Sequence, residues 1–107
     1  MARSTIHPGE QLAEQLAALD MSAAELGRQL KVPPNRITEI LNGQRAITGD
    51  TALRLGHFFA TGPEYWLNLQ TIYDLRVAEQ KTGKDIKTLP TVHGRKKKQD
   101  SRQTATA

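Results

Sequence analysis

Asn35, Arg36, Thr38 and Glu39 set an amide, a guanidinium, a hydroxyl and a carboxylate almost side by side. This is hydrogen-bonding chemistry with no bond-breaking partner. Asn pairs in two places with adenine, Arg with guanine or a phosphate, the Thr methyl touches thymine, and Glu accepts from the cytosine amino group. Ser22, Asn42, Gln44 and Arg45 flank the set and suit phosphate oxygens, which fix register without reading bases. The ingredients of catalysis are missing. His7, His57 and His93 stand apart, no His-Glu-x-x-His occurs, and the glycines match no phosphate-binding loop. With no cysteine there is no disulfide, thiolate metal site or thiol nucleophile. Neither an enzyme nor a cofactor is expected.

Those side chains read bases only if a helix carries them on one face and packs on the other. The sequence 22–43 supplies such an element. Ser22 with Glu25 forms a capping box, whose hydroxyl and carboxylate satisfy free amides at a helix start. Leu26 and Leu30 follow on the buried side. Val32-Pro33-Pro34 breaks the helix, because Pro33 disfavours helical geometry at Val32 while Pro34 suits the first position of the next one. That next helix runs to about Leu41 with Ile37, Ile40 and Leu41 inward, and Gly43 stands where a left-handed cap is wanted. Gly27 marks the expected closest approach of the two helices, with Leu26, Leu30, Val32, Ile37 and Ile40 as the seam. A helix pair of this kind docks its second member in the DNA major groove. A merely solvated polar face would carry similar residue types; the capping box, Gly27 and a local arginine cluster weigh against it.

Flanking helices complete an all-α reading. Pro8 and Glu10 open the first, with His7 as its cap and Leu12, Leu16 and Leu19 as an inward stripe. A fourth begins near Thr48 or Gly49 and buries Ala52, Leu55 and Phe59. Thr61-Gly62-Pro63-Glu64 ends it and starts a fifth, reaching to about Gln80. Tyr65, Trp66, Leu69, Ile72, Tyr73, Leu75 and Val77 cover about 200° of this fifth helix, more than one core requires. Either it crosses a broad core or it also packs on a second copy; the second reading makes Tyr65, Trp66, Leu69, Ile72 and Tyr73 a dimer interface.

A chain of 107 residues fits one domain with appendages. Its net charge of +4 is unevenly placed: residues 80–107 hold eight Lys/Arg against Asp85 and Asp100, residues 1–79 seven against nine acids. Overall basicity therefore argues little for DNA. The local cluster Arg28, Lys31, Arg36, Arg45 and Arg54, opposed only by Glu39 and Asp50, argues more. From Lys81 the apolar pattern fails, so 81–107 is expected as a basic, largely disordered tail, with Ile86 and Leu89 the candidates for docking and Arg95 to Lys98 a solubilising end. Met1 to Pro8 lacks the apolar stretch of a signal peptide and no segment suits a membrane span, so a cytoplasmic location is expected.

The runs His7-Pro8-Gly9-Glu10, Arg36-Ile37-Thr38-Glu39-Ile40-Leu41-Asn42-Gly43, Arg45-Ala46-Ile47-Thr48, Ala52-Leu53-Arg54-Leu55 and Pro63-Glu64-Tyr65-Trp66-Leu67-Asn68-Leu69-Gln70 resemble the HigA antitoxins. These belong to the Cro/C1-type, XRE-like helix-turn-helix proteins. The resemblance covers about residues 6 to 80, and its last segment is the most specific part. It implies a five-helix, lambda-repressor-like domain over 1–80, with the helix-turn-helix at 22–43 and a dimerisation helix at 63–80. It also implies a homodimer that binds a palindromic operator in its own promoter and neutralises a HigB-type mRNA-cleaving toxin. No membrane or small-molecule substrate is implied. A stand-alone repressor of the same fold is the alternative. The chain departs from its relatives at Gly27, at Lys31, where the turn often has glycine, and at Pro33-Pro34; Pro34 has no N–H to donate, which shifts base contact toward Asn35, Thr38 and Glu39.

Overall fold

The computed structural model describes residues 6–94. It contains α1 (Pro8–Leu19), α2 (Ala23–Leu30), α3 (Pro34–Leu41), α4 (Gly49–Phe58) and α5 (Pro63–Lys87), followed by one 3₁₀ turn at Val92–Gly94. Every described element is helical. The chain divides between Val77 and Ala78: the first unit holds α1 to α4 and the start of α5, the second the rest of α5 and the 3₁₀ turn.

Each helix boundary in the first unit has a local cause. Pro8 sits in the first turn of α1, and His7 caps it by accepting the Gly9 N–H on Nδ1 at 2.9 Å. Ser22 Oγ accepts the Glu25 N–H at 3.1 Å and starts α2. Only that half of the capping box forms, because the Glu25 carboxylate accepts from Gln29 at 2.7 Å and from Arg28 instead. Pro34 opens α3, and Gly43 follows it with φ +75°. Asp20 and Lys31 close α1 and α2 in the left-handed region, at φ 54° and 61°. For Lys31 that conformation costs about 1 kcal/mol relative to glycine. Lys31→Gly should therefore raise stability by about 0.5–1 kcal/mol, seen as a higher urea midpoint; an unchanged midpoint would remove the strain from the account.

Leu12, Leu16, Leu26, Leu30, Val32, Ile37, Ile40, Ile47, Ala52, Leu55 and Trp66 form one buried core. The seam residues of α2 and α3 are all in it. Leu19 is not: it is 51% exposed, at the last turn of α1 before its Asp20 cap. Phe59 is only half-buried, as the cap of α4 rather than a residue within it.

Close approaches set the angle at which α3 is presented. A Cβ on Gly27 would stand 3.3 Å from Pro34 Cα, so α2 and the start of α3 touch where the sequence requires a small residue. Gly9 is more demanding. A Cβ there would lie 2.0 Å from the Ile40 carbonyl oxygen, so only glycine lets the start of α1 lie against the end of α3.

The His7 imidazole, 8% exposed, packs edge-on against Tyr73 with ring centres 4.8 Å apart. Burial lowers its pKa from 6.5, against the opposing pull of Asp74 and Glu10. The neutral ring is also the form whose Nδ1 can accept the Gly9 N–H. The unfolded chain therefore takes up the proton first as pH falls. Stability from this group is whole above about pH 6.5 and is lost below it, through the folded pKa. Urea midpoints should drop between pH 7 and pH 5, and His7→Asn, a cap that does not titrate, should flatten that drop. Equal drops in both proteins would contradict the role given to His7.

The fifth helix differs from its sequence reading at its far end. It continues through Lys87 rather than stopping near Gln80, even though the apolar period has ended and Thr82 and Gly83 are poor helix formers; Lys84 and Lys87 in the last turn suit the negative end of the helix dipole. Ile86 and Leu89 are 55% and 59% exposed. The run Arg95 to Lys98, with the remainder of the expected tail, lies outside the described residues.

Candidate nucleic-acid interface

Ile37 and Ile40 fix α3 by complete burial, and a helical period then turns Asn35, Thr38, Glu39 and Asn42 away from the core. Asn35, Thr38 and Asn42 are exposed and Glu39 is half-exposed. The Thr38 hydroxyl leans back to the Pro34 carbonyl at 3.3 Å, which leaves its methyl group for an apolar contact. Ser22, Gln44 and Arg45 are exposed as well. The Ser22 oxygen accepts from the Glu25 N–H, but its own O–H is still able to donate to a phosphate.

Two of the four base-reading candidates are tied to neighbours. Arg36 sits on the flank of α3, and its Nη1 donates to Asp50 Oδ2 at 2.8 Å. Arg54 Nε donates to the same oxygen at 3.0 Å, while its Nη1 donates to the Leu30 carbonyl at 2.7 Å. Glu39 Oε1 accepts from Arg45 Nε at 2.7 Å. The two arginines hold the Asp50 carboxyl below the usual carboxylate range. These pairs are solvent-accessible and contribute little to stability. Their effect is on orientation and on the local field, since both acids within the arginine cluster are engaged by its own members.

The loop between α3 and α4 is held from beneath. Ile47 donates its N–H to Gln70 Oε1 at 2.8 Å, and Gln70 Nε2 donates to Asp74 at 2.9 Å. Gln70 is 7% exposed. It thus fixes the segment that carries Gln44 and Arg45 to α5. Asp50 and Gln70 were not singled out from the sequence as site residues. A lone amide four residues after Trp66, on an otherwise apolar side, is the signal that would have marked Gln70.

The expected dimer residues separate. Trp66 is 0% exposed within its own chain, between Phe59 and Tyr65, and so has no surface for a partner. The apolar arc was too wide to reveal which part faces inward. Tyr65 and Leu69 are half-buried against the same core, and Tyr73 is half-buried against His7. Ile72 is 47% exposed and Leu75 60%; on α5 Leu75 lies opposite Trp66 and Ile72 about 120° round from it, beside Tyr65. Among the described residues no group of three His, Asp or Glu is arranged to hold a metal ion.

Residues 12–66 match the Helix-turn-helix family, which includes α2, α3 and the turn between them. A HigA-family addiction module antidote protein from Coxiella burnetii has the same fold at a TM-score of 0.82 and 57% identity, over 83% of this chain and 98% of that one. The chain is a member of the HigA family. Pseudomonas aeruginosa antitoxin HigA, solved with the higBA promoter, superposes at a TM-score of 0.76 with 43% identity, covering 78% of this chain and 91% of that one. Virulence-associated protein I of Dichelobacter nodosus is 53% identical over 76 residues, 70% of each chain. HigA proteins are helix-turn-helix regulators and not enzymes. The shared region spans the helices that place Asn35, Thr38 and Glu39.

Proposed function

We propose that the protein is an antitoxin that represses its own operon, binding a palindromic operator as a dimer through α3 and neutralising a HigB-type mRNA-cleaving ribonuclease. The observation that carries the DNA-binding half is the outward face of α3. It presents Asn35, Thr38 and Glu39 beside the flanking Arg36, in a fold whose Pseudomonas relative is solved with promoter DNA. Asn35, Arg36, Thr38 and Glu39 are the base-contacting residues, with Ser22, Asn42, Gln44 and Arg45 on phosphates. Dimerisation uses the side of α5 that presents Ile72 and Leu75, with Tyr65, Leu69 and Tyr73 at its rim. The domain spans 1–80 and is followed by a basic tail. No described helix is long and apolar enough to cross a membrane. Its place is the cytoplasm, at the nucleoid when bound to operator.

Toxin neutralisation rests on family membership, and a direct test is coexpression with the short reading frame adjacent to this gene. The neighbour's product should be toxic alone, tolerated with this protein, and copurify with it. A harmless neighbour that fails to copurify, together with intact operator binding, would leave a stand-alone repressor.

A further inference from the structure

Asp50 lies in the first turn of α4, outside the helix-turn-helix, and its carboxylate links three elements. Arg54 reaches back to the Leu30 carbonyl at the end of α2 and forward to Asp50 Oδ2. Arg36 on α3 completes the chain at the same oxygen. One edge of the Arg36 guanidinium is therefore occupied, and its side chain is held at 27% exposure instead of extending into solvent.

We propose that Asp50 is a positioning residue for DNA recognition, holding Arg36 in the orientation that reads the operator and withholding it from indiscriminate contact with phosphates. The inference rests on the DNA-binding reading above. A free arginine on a long flexible stem takes any phosphate within reach, which strengthens binding to all duplexes alike. An arginine already paired with a carboxylate has its charge offset and its rotamers restricted. It gains from DNA mainly where a base edge or phosphate meets its remaining donors in register. Arg54, anchored on a backbone carbonyl, keeps the carboxylate itself in place.

Replacing the carboxylate by its neutral isostere separates this role from a structural one. Asp50→Asn keeps the shape and removes only the charge, and its melting temperature establishes that it folds. Binding of the full chain is measured against its operator and against random-sequence duplex across a salt series. Asp50→Asn should bind random duplex about three- to tenfold more tightly, with a salt slope steeper by about 0.9. Its preference for operator over random DNA should fall by at least the same factor. In an Arg36→Ala background the same substitution should leave the preference unchanged. A loss of affinity equal for both DNAs, an unaltered preference ratio, or an effect that persists without Arg36 would each overturn the proposal. If the wild-type chain shows no preference for the operator, the DNA-binding reading fails instead.

Discussion

Trp66→Ala is expected to cost about 3–5 kcal/mol, which is most of the stability of a small domain. The indole is fully buried between Phe59 and Tyr65 and belongs to the same core as Leu12, Leu26 and Ile37. Its removal leaves a large cavity where α4, α5 and the helix-turn-helix meet, and packed neighbours fill such a space only in part. Trp66→Phe should be far milder. The Trp66 Nε1–H is buried without a hydrogen-bond partner, so phenylalanine gives up volume but also removes an unsatisfied donor. Urea unfolding distinguishes this account from one in which Trp66 joins two subunits. The loss should be the same at every protein concentration, whereas for an interface residue it would shrink on dilution, as both proteins become monomeric.

Arg36→Ala is expected to weaken operator binding by about 1–3 kcal/mol, or about 5- to 150-fold in Kd. The side chain flanks the outward face of α3 and keeps donors beyond the one given to Asp50. Its ion pair is accessible to solvent, so the melting temperature should barely move. That contrast matters, because a variant that binds poorly while folding normally locates the loss at the interface. A normal operator affinity for Arg36→Ala would remove this residue from recognition. Asn35→Ala should change which base is preferred at its position, with little effect on random-sequence DNA.

Helix starts were legible in the sequence because their causes are local. Pro8, Ser22 and Pro34 act on amides within one turn of themselves, and His7 caps through an atom two residues from its target. The outward face of α3 was legible for a similar reason: Ile37 and Ile40 fix the inward direction, and the helical period does the rest. What escaped the sequence reading depends on distant partners. Arg36 meets Asp50 fourteen residues away, and Ile47 meets Gln70 twenty-three away. No spacing rule within a helix reports such pairs. The apolar arc of α5 was too broad to reveal that Trp66 points inward while Ile72 and Leu75 point out. Its far end was missed because the apolar period stops near Gln80 and Thr82 and Gly83 disfavour a helix, yet α5 continues to Lys87. Nor could a count of charges show that the acids of the arginine cluster are engaged by Arg36, Arg54 and Arg45.

These pairs change the picture of the interface from a uniformly basic patch to a face of hydrogen-bonding groups flanked by restrained arginines. Such a face favours selectivity over raw attraction, because the sequence-independent part of DNA affinity scales with the cations free to meet phosphates. In the proposed function, α3 reads the DNA upstream of this protein's own gene. Footprinting the full-length chain on that DNA at physiological salt tests it most directly. The expected result is protection of two inverted half-sites centred about 10 base pairs, or one helical turn, apart, with protection lost in Arg36→Ala. Equal affinity for the upstream DNA and for random duplex, with no protected site, would contradict it.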